Sequence, residues 1–99
     1  MDNANSVGHI QNGIRPHVIV TQVTGDTVTV APCTSKKKEH RKYAVEILPT
    51  KENGLTAVSF VLLSQSFAAD ISFLDKKIGH LDQNEILRIQ IEYVKYVTD

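Results

Sequence analysis

The sequence predicts a mainly β, antiparallel domain that ends in an α-helix. Three observations carry this. First, His17–Val23 and Thr27–Cys33 are rich in Val, Ile and Thr and flank Thr24-Gly25-Asp26, which is a hairpin with a glycine free to take a turn conformation. Second, Val58 to Leu63 is the longest apolar run, broken only by Ser59, as in a central strand covered on both faces. Third, Asp82 precedes a long amphipathic stretch and has Glu85 three positions on, the pattern of a capping box with Asp in place of Ser or Thr.

In chain order, Met1–Asn12 is polar and without periodicity and reads as a mobile lead-in. Pro16 fixes its own φ and pushes Arg15 out of the helical region, so Arg15 is expected in extended backbone at a strand entrance. The second hairpin strand alternates, with Val28 and Val30 opposite Thr27 and Thr29. Pro32 lies near its end, where a missing donor is tolerated. Ser35–Lys42 (SKKKEHRK) is either a solvated loop or a basic patch that holds a phosphate backbone. Tyr43–Leu48 is expected as a strand and Lys51-Glu52-Asn53-Gly54 as a loop. Ser66–Leu74 reads as a short irregular or helical turn, Asp75-Lys76-Lys77 as a polar turn, and Ile78–Leu81 as an extended link. The helix is assigned to residues 82–97. Its apolar residues, Ile86 through Val97, spread around more than half the wheel. Either a second subunit covers part of that surface or the helix lies deep in its own domain.

The 99 residues make one domain, residues 1–99, with 41% hydrophobic and 22% charged residues and a formal net charge of zero. No global field steers it to a polyanion, and any such attraction must come from local clustering. No stretch is apolar enough to span a bilayer, and MDNANSVGH has no signal-peptide pattern. The single Cys33 excludes an intramolecular disulfide and fits a cytoplasmic protein, with the thiol expected to be buried and structural.

The four histidines, His9, His17, His40 and His80, lack metal-ligand spacing, and no Gly-rich phosphate loop or GxSxG elbow is present. No metal and no cofactor are expected. Chemistry on an RNA phosphate remains, because RNA carries its own 2′-OH nucleophile. Arg15 at a strand entrance is expected beside Thr34 and Ser35 at the end of the neighbouring hairpin strand. A bidentate cation with two hydroxyls suits a phosphate, and His9 is the nearest group in sequence able to move a proton near neutral pH.

The segments GHIQNGIRPHVIV, VTVAPCTSK and FVLLSQSFAADISFLDKKIGHLDQNEI resemble the MazF/PemK (Kid) family of toxin endoribonucleases, in the family's order and over nearly the whole chain after Ser6. The resemblance implies a small SH3-like β-barrel with a C-terminal helix, forming a homodimer. It implies a toxin of a type II toxin–antitoxin system, an mRNA interferase that cuts single-stranded RNA without metal by 2′-OH attack, and a cognate antitoxin that blocks the RNA groove. It matches Arg15 and Thr34 to the family's catalytic arginine and threonine and His9 to its loop histidine. Gln11, Ser35, Lys36, Lys37, Lys38, Arg41 and Gln65 are then the expected RNA-binding residues.

The chain departs from the family in three places. The usual opening strand, G-D-I-x-x-V, has no match, so the sheet is expected to lack one edge partner. Ile10 stands where many members carry a loop acid, which shifts proton transfer to His9. Ser64-Gln65-Ser66-Phe67 lacks the family's acidic residue before Gln and the arginine two residues after it, while Asp70 keeps its family position. These departures leave a second function open, a MazF-like module that binds antitoxin or RNA without cleavage.

Overall fold

The computed structural model describes residues 6–10, 15–35 and 42–99. Among these residues lie β1 (Ser6–Ile10), β2 (Pro16–Thr24), β3 (Thr27–Thr34), β4 (Ala44–Ile47), β5 (Ser59–Leu62), β6 (Phe67–Asp70), β7 (Leu74–His80) and α1 (Gln83–Thr98). Short 3₁₀ turns at Leu63–Gln65 and Ile71–Phe73 flank β6. The strands form one antiparallel sheet in the order β4-β5-β3-β2-β1-β7, with β6 also pairing β3.

The hairpin β2–β3 is the spine. Its register pairs His17 with Pro32, Val18 with Ala31 and Ile19 with Val30. The far edge of β3 changes partner along its length. Thr27 to Val30 pair with β6, and Cys33 and Thr34 pair with β5. Pro32, which has no N–H to offer, sits at this changeover, where a ladder bond is interrupted in any case.

Two expectations are corrected at the start of the chain. Part of the segment read as a lead-in, Ser6–Ile10, is a strand, and it pairs with both β2 and β7. The expected unpaired edge is therefore filled. Polar composition hid the strand, although Val7 within it is fully buried. Asp75-Lys76-Lys77 is likewise not a turn but part of β7, whose ladder with β1 is broken by register shifts at Val7/Gly8 and His9/Ile10. Such shifts erase the two-residue alternation that marks a strand in sequence.

The sheet is curled and open, a half-barrel and not the closed barrel expected. Its two ends, β4 and β7, are not paired with each other. Both β4 and β5 are four residues long. The 50–54 turn bridges part of the gap. His80 N–H donates to the Glu52 carbonyl at 2.9 Å. Gly79 permits this approach, since a Cβ there would overlap the Asn53 backbone. Gly54 takes φ +70 in the same turn.

The main core lies between one face of the sheet and α1. Val18, Val20, Ala31, Cys33, Val45, Ile47, Val61 and Leu63 meet Leu81 and Ile89, with Ile86 and Tyr93 at the margin. Full burial of a side chain such as Ile47 contributes about 1.5–3 kcal/mol. On the opposite face a smaller cluster joins Ile19, Val28, Val30 and Ala69. The helix begins as its sequence predicts. Glu85 N–H donates to Asp82 Oδ1 at 2.7 Å, and Asp82 N–H donates to Glu85 Oε1 at 2.9 Å. Of the two readings of its wide apolar surface, burial within the domain is not what is found. Leu87, Ile91, Val94 and Val97 remain 48% to 57% exposed.

Candidate active site

Strand alternation decides which side chains share a face. Along β2, residues 17 and 19 oppose 18 and 20, and along β3, residues 28 and 30 oppose 31 and 33, as the two core clusters show. Carrying the His17–Pro32 register two residues further sets Arg15 across from Thr34. Both then belong to the sheet face that turns away from α1.

The two residues share a cleft of about 400 Å³. One wall is Arg15, Pro16, Cys33, Thr34 and Ser35, and the other is Leu55, Thr56, Ala57 and Ser59. Arg15 and Ser35 are exposed and Thr34 is half-buried. A guanidinium in contact with solvent and hydroxyl groups beside it form an anion-binding surface.

Two local devices hold this geometry. The His17 ring, buried under the sheet's outer face, donates from Nδ1 to the Arg15 carbonyl at 3.1 Å and fixes the backbone at the strand entrance. The second wall hangs from Asn53, which is fully buried. Its Oδ1 accepts from Thr50 N–H and Leu55 N–H, both at 3.0 Å, and its Nδ2 donates to the Leu48 carbonyl at 2.9 Å. The Ser59 hydroxyl donates to the Ala57 carbonyl at 3.0 Å and closes the wall.

Cys33 is fully buried, as expected of a structural thiol. Burial pushes it from 9.0 up to about 12, with the Arg15 charge acting in the opposite sense. It stays protonated near neutral pH and is no nucleophile. No group of three or more His, Cys, Asp or Glu side chains able to hold a metal ion occurs among the described residues.

The remaining candidates divide clearly. His9 lies on β1, its backbone paired with Pro16 and so beside Arg15 in the sheet. Gln65 is exposed on a 3₁₀ turn and is not among the residues lining the cleft. Gln11, Lys36, Lys37, Lys38 and Arg41 lie outside the described residues. The second wall, 55–59, and its anchor Asn53 were not identified from sequence. The only signal was the Asn53-Gly54 pair, which marks a turn without saying what the turn packs against.

Comparison with known proteins agrees with this architecture. The toxin MazF-mt6 of Mycobacterium tuberculosis superposes with a TM-score of 0.77 at 21% identity, over 94% of this chain and 96% of its own. A mycobacterial endoribonuclease solved in complex with its cognate antitoxin gives 0.79 at 14% identity, over 99% and 96%. A MazE–MazF complex of Deinococcus radiodurans gives 0.74 at 16%, over 99% and 97%. At these identities the likeness is one of fold. Among curated proteins none matches the chain. The sequence itself matches the family described as PemK-like, MazF-like toxin of type II toxin–antitoxin system over residues 1–92. Because that match spans nearly the whole chain, the chain belongs to the PemK-like, MazF-like toxins.

Proposed function

We propose that the cleft holds the scissile phosphate of single-stranded RNA and that the protein is a sequence-specific, metal-independent endoribonuclease, the toxin of a type II toxin–antitoxin pair. The observation that carries this reading is the meeting of Arg15 with Thr34 and Ser35 in one cleft. The ribose 2′-OH attacks the adjacent phosphorus, and the bond to the 5′ oxygen breaks. The products are a 2′,3′-cyclic phosphate and a 5′-hydroxyl. Arg15 stabilises the charge that builds on the non-bridging oxygens, and the Thr34 and Ser35 hydroxyls donate to the same atoms. His9 moves the proton, from the 2′-OH or to the leaving oxygen. Gln11, Lys36, Lys37, Lys38, Arg41 and Gln65 hold the flanking strand.

Two partners follow. A cognate antitoxin protein is expected to cover the cleft, and a second copy of the chain is expected to cover the apolar stripe on α1 at Leu87, Ile91, Val94 and Val97. No helix is long and apolar enough to cross a membrane among the described residues.

The experiment is incubation of purified protein with single-stranded RNA in a chelator, followed by analysis of the new ends. Cleavage that leaves cyclic phosphates, and that Arg15→Ala abolishes, is the expected result. Intact RNA with the wild-type protein, under conditions where it binds antitoxin, would overturn the enzymatic reading in favour of a non-cleaving binding module.

A further inference from the structure

The outer face of the sheet carries an aromatic ring that the catalytic reading leaves unused. Phe67 opens β6 and pairs with Val30 of β3. Directly paired residues share a face, so Phe67 belongs to the face of Val28, Val30 and Ile19, and by the register above to that of Arg15 and Thr34. Its neighbour on that face, Ala69, is buried, whereas Phe67 is 45% exposed. A half-exposed phenyl ring beside a buried cluster gains little from the fold. It is nevertheless held in place, with the His17 ring 6.1 Å away at 84°, edge to face. Thus one imidazole bonds the Arg15 backbone and also orients the Phe67 ring.

Val30 and Thr34 lie on the same face four residues apart, about 13 Å along an extended strand. An extended dinucleotide spans that distance. A cationic phosphate site at one end and a rigid exposed aromatic ring at the other is the arrangement by which proteins hold single strands, because every base presents a π-face.

We propose that Phe67 is a stacking platform for an RNA base flanking the phosphate held by Arg15 and Thr34. This rests on the reading of the cleft as an RNA site. The ring contributes to substrate binding and to the choice of base at that position, and it takes no part in proton transfer. Stacking of this kind costs little entropy, since the ring is already oriented by His17.

The test uses the full chain and short single-stranded oligoribonucleotides blocked at every ribose by 2′-O-methyl groups, so that binding is read without cleavage. The chain has no tryptophan, so Phe67→Trp keeps an aromatic platform and adds a unique emission signal. Expected are wild-type affinity and quenched emission for Phe67→Trp, and about tenfold weaker binding for Phe67→Leu. Phe67→Leu should leave the salt dependence of binding unchanged, whereas Arg15→Ala should flatten it. A merely structural Phe67 would not separate the two variants in this way. Wild-type affinity for Phe67→Leu, or RNA binding by Phe67→Trp without quenching, overturns the proposal while leaving the cleft assignment intact. Unchanged RNA affinity with weakened self-association would assign the ring to a protein interface and also overturn it. If the wild-type chain binds no RNA at all, this proposal and the reading of the cleft fail together.

Discussion

Asn53→Ala should be the most damaging small substitution outside the apolar core. The side chain is fully buried and makes three hydrogen bonds, at 3.0, 3.0 and 2.9 Å, to backbone groups of Thr50, Leu55 and Leu48. Thr50 and Leu48 are exposed residues, where water can replace part of what is lost. Leu55 is only 7% exposed, so its N–H would be left without an acceptor. An orphaned buried donor costs about 1–3 kcal/mol and each of the other two bonds about 0.5–1 kcal/mol, a total of about 3 kcal/mol. In a domain of this size that is a fall of roughly 15 °C in melting temperature. Thr50→Val is the graded comparison. It removes only the Oγ1 that accepts Asn53 N–H at 3.0 Å, at an exposed position, and should cost about 1 kcal/mol or less. The assay is urea unfolding at fixed protein concentration, with the midpoint falling and the slope unchanged. A loss below about 0.5 kcal/mol for Asn53→Ala would refute the view that this residue suspends the second wall of the cleft.

Two further predictions concern other parts of the molecule. Cys33 should resist a soluble disulfide reagent at about pH 8 in the native chain and react at once in the unfolded one. Because folding raises its pKa from 9.0 to about 12, its contribution to stability is complete below 9.0 and is lost as pH rises through that window, and Cys33→Ala should remove this loss. Ile91→Glu on the exposed stripe of α1 should shift the chain to monomer in sedimentation while Gln90→Glu, one residue away and also exposed, should not. Identical sedimentation of both variants and the wild type would remove α1 as a self-association surface.

Elements with a strong local signature were legible in the sequence. The hairpin announces itself through β-branched residues around Gly25, and the helix through Asp82 and Glu85, whose reciprocal bonds form as their spacing requires. The Arg15–Thr34 juxtaposition followed from the hairpin alone, because an antiparallel pair fixes which ends meet. What failed depends on long-range pairing. Ser6–Ile10 and Leu74–His80 have little strand character of their own and are strands because each supplies the other's partner across register shifts. The changeover of β3 from β6 to β5, and with it the exposure of Phe67, leaves no local trace beyond Pro32. The open sheet also escaped the sequence, since closure depends on how β4 and β7 end in space and not on the composition of either.

The central claim is that Arg15 and Thr34 act on one phosphate. Single-turnover RNA cleavage by Arg15→Ala, Thr34→Val and the double variant tests it most directly. Loss of an electrostatic donor to the transition state should slow Arg15→Ala about 10²–10³-fold. Thr34→Val should slow cleavage about tenfold, the cost of one hydrogen bond to a charged group. Two groups on the same atoms act as a unit, so the double variant should be slower than Arg15→Ala by clearly less than the Thr34→Val factor. Strictly multiplicative effects, or cleavage at the wild-type rate by Arg15→Ala, would contradict the account.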